Sequence, residues 1–262
     1  ENMQKGTAAL YSLLTYDLNT FTNALFADCA YEFYWGNGGM GDGRGCDYSS
    51  NNTLSFSNNC ITVNIGVNPT YRKSEKKEDE YNVDTAKTGA VSTAVANAKK
   101  IVSNANGMTD YYRLNYYKEQ ICNLVDYNHD AADAEEYADR SPWALVYVFD
   151  DDKETKVVCE GYSEAFQYLA ELSEFKEPSV NVYSVTGTMG GGTGEGDHKW
   201  NIVHMDDGKN YIADITNSDQ DSIGFDGKLF LKGMEGSVDG GYNKPLESGN
   251  EKISYKYDED DI

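Results

Sequence analysis

VVCEGYSEAFQYLAELSEF, residues 157–175, is the stretch on which the fold turns. After Cys159 the apolar side chains Tyr162, Phe166, Leu169 and Leu172 fall four, three and three residues apart. That spacing puts them on one face of a helix. With Ala165 and Ala170 added, the segment is apolar enough to lie centrally in a fold. Cys159 stands in its first turn. There the leading N–H groups lack intrahelical partners and the helix dipole favours an anion, so a thiol at this place loses its proton readily. The same N–H groups can hold an oxyanion on an attacked carbonyl. A helix start alone does not separate a reactive thiol from a buried structural one. Cys29 and Cys122 lie inside helical patterns and read as structural thiols.

A thiolate nucleophile needs a base, and the base needs an acceptor to orient it. The chain has only three His. His129 lies in an acidic, Ala-rich stretch. His198 and His204 lie in GDHKWNIVHMDDGKNYIADITNSD, residues 196–219, where two strand patterns flank a turn rich in Asp and Gly. Side chains alternate along a strand, so His198, Trp200, Ile202 and His204 share a face. A three-residue loop, Asp206-Asp207-Gly208, pairs Met205 with Lys209 and sets Trp200 opposite Asp214. His198 is then diagonal to Asp214 on that face, within reach of its side chain. A two-residue loop would put them on opposite faces. A metal site shared by His198 and His204 is excluded, because six strand residues separate them by roughly 20 Å. His204 reads as an ordinary sheet residue. No metal or other cofactor is expected.

Other motifs lead nowhere. Gly36, Gly38 and Gly41 match G-x-G-x-x-G, but DGRGCDYSS follows and cannot open a helix. GTMGGGTGEGD, residues 187–197, has no phosphate-loop ending and reads as a lid or linker beside His198. Ser163 lacks the surroundings of a nucleophile elbow. Asp219 to Gly224 does not have calcium-loop spacing.

Helical patterning covers Met3 to Ala30, about Val83 to Ala105, about Thr109 to Val125 (with Tyr112, Tyr116, Ile121 and Val125 near one face), and a short helix from about Pro142 to Phe149 with Ser141 as its N-cap. Strand patterns cover Thr53 to Ser57, Ile61 to Val67, Val182 to Thr188, Lys199 to Met205, Asn210 to Thr216 and Lys252 to Tyr257. Arg72 to Glu80 reads as an exposed charged loop. Helices come before most of the sheet, which points to an α+β fold.

With 262 residues and 39% apolar content the chain can build one large core or two smaller ones. A net charge of −22 repels phosphate backbones, so no nucleic-acid partner is expected. No run is apolar and long enough for a membrane span. The chain begins at Glu1 without a signal-peptide pattern and reads as a mature or trimmed form. The count of five cysteines is odd, so at least one is unpaired unless chains cross-link. Cys29, Cys46, Cys60 and Cys122 allow three pairings, Cys46 with Cys60 among them, or none.

VCEGYS at a helix start, HKWNIV on a strand, and IADIT on the next strand together resemble the transglutaminase-like superfamily, relatives of papain-type cysteine proteases, and secreted bacterial members most closely. The order Cys, His, Asp agrees. LNYYKEQICNLVDYN resembles the family helix before the Cys, and ALFADCAYEFYW an acidic-aromatic segment of bacterial members. The resemblance is specific over residues 109–219. Lys199 departs from the usual Ala, the hairpin turn is one residue longer, and Asp150 to Thr155 is unusually acidic.

The resemblance implies a papain/transglutaminase-like α+β core. Cys159 would start a central helix packed on an antiparallel sheet that carries His198 and Asp214. Residues 106–262 would form this domain, and residues 1–105 an N-terminal helical and β region. It implies amide chemistry on peptide or protein substrates through a thioester, either hydrolysis or transfer to an amine, in a secreted or cell-surface protein. Trp143 and Trp200 are candidate oxyanion or groove residues. The alternative is a catalytically silent member acting as a binding or cell-surface interaction module.

Overall fold

The computed structural model describes residues 9, 10, 12, 25, 29–36, 53–57, 60–133, 144–191, 194–219, 222, 229–233, 244–245 and 252–257. They divide into two compact units, Glu1–Gly89 with Glu135–Arg140, and Ala90–Ala134 with Ser141–Ile262.

In the first unit most of the helix expected from Met3 to Ala30 lies outside the described residues; Leu10, Ser12 and Leu25 are helical, and a short helix α1 spans Ala30–Phe33. Strands β1 (Thr53–Ser57) and β2 (Cys60–Asn64) form an antiparallel hairpin pairing Ser57 with Cys60. The second strand was expected to run on to Val67 but stops at Asn64. Val67 instead bridges Gly36 and gives its N–H to the carbonyl of Glu80. Pro69 then opens a 3-10 turn, Pro69–Tyr71, capped by the Asn68 side chain.

The second unit begins with helices α2 (Ala90–Asn104) and α3 (Asp110–Leu124). The expected face of α3 is corrected: Tyr112 is 64% exposed, and the buried line is Leu114, Tyr117 and Ile121. Polar anchors set the rotation. Tyr117 shares a 2.6 Å hydrogen bond with Ser173, Arg113 donates to the carbonyl of Glu174, and Asp110 accepts from the N–H groups of Lys176 and Glu177. A two-residue strand β3 (Asp126–Tyr127) precedes the short helix α4 (His129–Asp133) and pairs in parallel with β4 (Lys156–Val157). The helix expected from Pro142 to Phe149 is only a 3-10 turn, Leu145–Tyr147, among the described residues.

Helix α5 (Cys159–Glu171) is buried along nearly its whole length, with Tyr162, Phe166 and Leu169 fully inside. Its polar residues are therefore buried too, and Glu160, Ser163, Glu164 and Gln167 are each hydrogen-bonded, with Glu160 Oε2 left without a partner among the described residues. The sheet follows: β5 (Asn181–Gly191), β6 (Gly194–His204), β7 (Asn210–Ala213), β8 (Phe230–Gly233), β9 (Lys244–Pro245) and β10 (Lys252–Tyr257). These six strands are antiparallel in the order β8-β7-β6-β5-β10-β9.

The glycine segment from Gly187 is strand rather than a lid or linker, since β5 and β6 stay in register out to Gly191 opposite Gly194. Ladder hydrogen bonds need no side chain. Gly187 is required, because a Cβ there would sit 2.0 Å from the Lys256 carbonyl oxygen and 2.8 Å from the Trp200 ring. Trp200, Ile212, Leu229, Ile253 and Tyr255 form a buried cluster on one face of this sheet.

Candidate functional site

Between β6 and β7 the chain turns at Gly208, whose φ of +75° is left-handed. Met205 and Lys209 face each other across the three-residue loop, and Asn201 pairs with Ala213. The next step of that register sets Trp200 opposite Asp214, so His198 and Asp214 share a face, as the pleat requires. Their side chains meet: His198 Nε2 lies 2.8 Å from Asp214 Oδ2.

Asp214 is fully buried, and its carboxylate is held from several sides. The Tyr255 hydroxyl donates to Oδ2 at 2.7 Å. Asn217 donates from its backbone to Oδ1 at 3.0 Å and from Nδ2 to Oδ2 at 2.9 Å. A carboxylate with this many donors is pinned in one orientation and kept ionised. Burial works against its charge, but the imidazolium of His198 and these hydrogen bonds hold its pKa below the usual carboxylate value.

Cys159 is the first residue of α5. Val158 before it is extended and gives no side-chain cap, so no side chain of the cap residue covers the leading N–H groups. The Cys159 sulfur lies near enough to His198 to act on the charge of its imidazole. Burial disfavours the charged imidazole, but the negative charge and hydrogen bond of Asp214, with those of the Cys159 sulfur, outweigh it and raise the His198 pKa to about 10. The three residues singled out in the sequence are thus brought together as Cys159, His198, Asp214. Cys159 and His198 are 4% and 7% exposed, so the pair is almost wholly shielded from water.

Trp200 has no exposed surface. It stacks on His198 with ring centroids 5.9 Å apart at 18°, and Tyr255 packs against both rings. The indole is a wall behind the imidazole, not the side of an open groove. Trp143 lies outside the described residues. His204 is bonded to Asn210 at an exposed place, and Ser163 donates to the carbonyl of Lys199. Cys29, Cys60, Cys122 and Cys159 form no disulfide, and Cys46 lies outside the described residues. Burial, reinforced by Asp219, pushes the Cys122 thiol up to about 12, which makes it unreactive near neutral pH.

Sequence reasoning missed two kinds of residue. Tyr255 comes from a strand 41 residues past Asp214 and carries no motif. Asn217 had a signal: Asp three residues before Asn suits a side chain accepting a nearby backbone N–H. The second kind is a buried ion cluster, in which Lys199 Nζ lies 3.0 Å from Glu160 Oε1 and 2.8 Å from Glu164 Oε1.

No protein-family model matches the chain, and no curated protein does. Among solved structures it is similar to one described as a crystal structure of a TGase, with 18% identity, a TM-score of 0.35, and coverage of 68% of this chain and 48% of that one. The chain spans about half the length of that structure's chain. Among the described residues no helix is long and apolar enough to cross a membrane.

Proposed function

We propose that the second unit is a cysteine-dependent amide enzyme, with Cys159 as nucleophile, His198 as acid–base and Asp214 as its orienting carboxylate. One observation carries this: His198 Nε2 lies 2.8 Å from a fully buried Asp214, while the Cys159 sulfur, at the start of α5, acts on the same imidazole. With Nε2 engaged by Asp214, Nδ1 is the nitrogen left for the sulfur.

The thiolate adds to an amide carbonyl carbon, and the leading N–H groups of α5 receive the oxyanion. Imidazolium gives its proton to the departing amine, the C–N bond breaks, and a thioester remains. Water or a second amine, deprotonated by the neutral imidazole, attacks the thioester and releases the thiolate. The resemblance to transglutaminase-like proteins agrees with this chemistry. Peptides or proteins are the proposed substrates, and hydrolysis is favoured because no side-chain constellation among the described residues marks an amine site. The same resemblance suggests a secreted or cell-surface protein.

The near-complete burial of Cys159 and His198 favours a second reading, a silent binding module with the same fold. Peptide cleavage and ammonia release from glutamine peptides, compared between the native protein and Cys159→Ala, separate the two. Turnover lost in the variant supports the enzyme. Equal signals from both, with a fast-reacting thiol absent, support the module.

A further inference from the structure

The buried cluster beside the site has a use of its own. Glu160 follows Cys159 directly in the chain, and Lys199 follows His198. Their side chains pair at 3.0 Å, and Glu164, one turn further along α5, adds a second contact at 2.8 Å. All three side chains are at most 8% exposed. Around them α5 is laced to the sheet again: Ser163 Oγ donates to the Lys199 carbonyl at 2.8 Å, Asn201 Nδ2 to the Ser163 carbonyl at 3.0 Å, and the Ser184 N–H to Gln167 Oε1 at 2.8 Å.

We propose that Glu160, Lys199 and Glu164 form a positioning clamp that sets the start of α5 against β6 and so fixes the separation of Cys159 and His198. The proposal rests on the thiol-enzyme reading above. Stability alone does not explain such a cluster. Two carboxylates and an ammonium taken out of water are about as stable as, or less stable than, apolar side chains filling the same space. Charges with fixed donors and acceptors add direction. An apolar contact tolerates a slide of helix over strand, whereas the ammonium meets both acceptors in one register only. A thiolate–imidazolium pair needs that register, because its attraction and its proton transfer both fall steeply with distance. The clamp acts by place rather than by field. Burial raises the Glu164 pKa to about 8 against the pull of Lys199, so near neutrality one proton leaves the cluster without net charge. Lys199, Glu160 and Glu164 are thus positioning residues, not catalytic ones.

The test is the pH profile of Cys159 alkylation by iodoacetamide, read per cysteine by mass spectrometry, on the full chain. Lys199→Met should lower the rate at pH 6 about tenfold or more, since roughly an ångström of misplacement has effects of that order or larger. Lys199→Arg keeps a cation between Glu160 and Glu164 and should retain most of the rate. Glu160→Gln keeps the Lys199–Glu164 contact and should give a smaller loss in the same direction, which serves if Lys199→Met does not fold. A folded Lys199→Met or Glu160→Gln protein with an unchanged profile overturns the clamp, whether or not its melting temperature falls. A folded Lys199→Arg protein that loses as much as Lys199→Met overturns it too. An inert Cys159 in the native protein overturns the thiol-enzyme reading itself, and the clamp with it.

Discussion

Replacing Asp214 by Asn keeps the shape of the side chain and removes its charge. In the native protein Asp214 opposes the burial of His198 and raises the imidazole from 6.5 to about 10. That rise corresponds to about 5 kcal/mol in favour of the imidazolium, shared between Asp214 and the Cys159 sulfur. Without Asp214, burial is no longer outweighed, and the imidazole falls to its ordinary value or lower. A neighbouring imidazolium favours a thiolate, and a neutral imidazole does not. The Asp214→Asn protein should therefore alkylate at Cys159 roughly tenfold or more slower than the native protein at pH 6.5. Stopped alkylation time courses from pH 5 to 9, resolved per cysteine, give the profile directly. Stability has its own signature. The raised His198 pKa contributes stability that is full below pH 6.5 and lost as pH rises through about 10. The lowered Asp214 pKa contributes stability present above 3.8 and lost as pH falls through its lowered value. The native protein should thus gain most over the variant between these limits. A variant with the native rate at pH 6.5 would refute the electrostatic reasoning.

Tyr255→Phe removes the 2.7 Å hydrogen bond to the Asp214 carboxylate. It should cost about 1–3 kcal/mol in urea unfolding, because a buried charged acceptor loses a donor. Gly187→Ala forces a Cβ to 2.0 Å from a backbone oxygen, so the β5–β10 edge must part; a melting temperature several degrees lower is expected by calorimetry. Glu164→Gln removes a group whose folded pKa is raised from 4.5 to about 8, and whose stabilisation is therefore full below 4.5 and lost as pH rises through about 8. The native protein should lose stability relative to this variant between pH 5 and 9, measured by denaturant midpoints.

What was legible in the sequence depended on where the signal lay. The hairpin register followed from Gly208 and from the pleat, so His198 and Asp214 could be placed on one face from local chemistry alone. The stripe Tyr162, Phe166, Leu169 placed a central helix for the same reason. On α3 that logic misled, because four tyrosines offer several apolar faces. The choice went to Tyr117, whose hydroxyl finds Ser173. Tyr255 could not be found, since it reaches Asp214 through β10 pairing with β5, a contact between strands with no connecting motif. Lys199 was visible as a departure from the family pattern. Its partners were not, because Glu160 and Glu164 look like solvent-facing helix residues until the helix proves to be buried all round. The glycines of 187–191 read as a loop on composition and became strand because two partner strands satisfy their backbone.

The most direct test of the central claim is alkylation of the native protein by iodoacetamide from pH 5 to 9, compared with His198→Ala. Cys159 alone should react fast at pH 6, His198→Ala should slow it strongly, and Cys122 should stay inert in both. A Cys159 as unreactive as Cys122 at pH 6, or one indifferent to loss of His198, would contradict the claim.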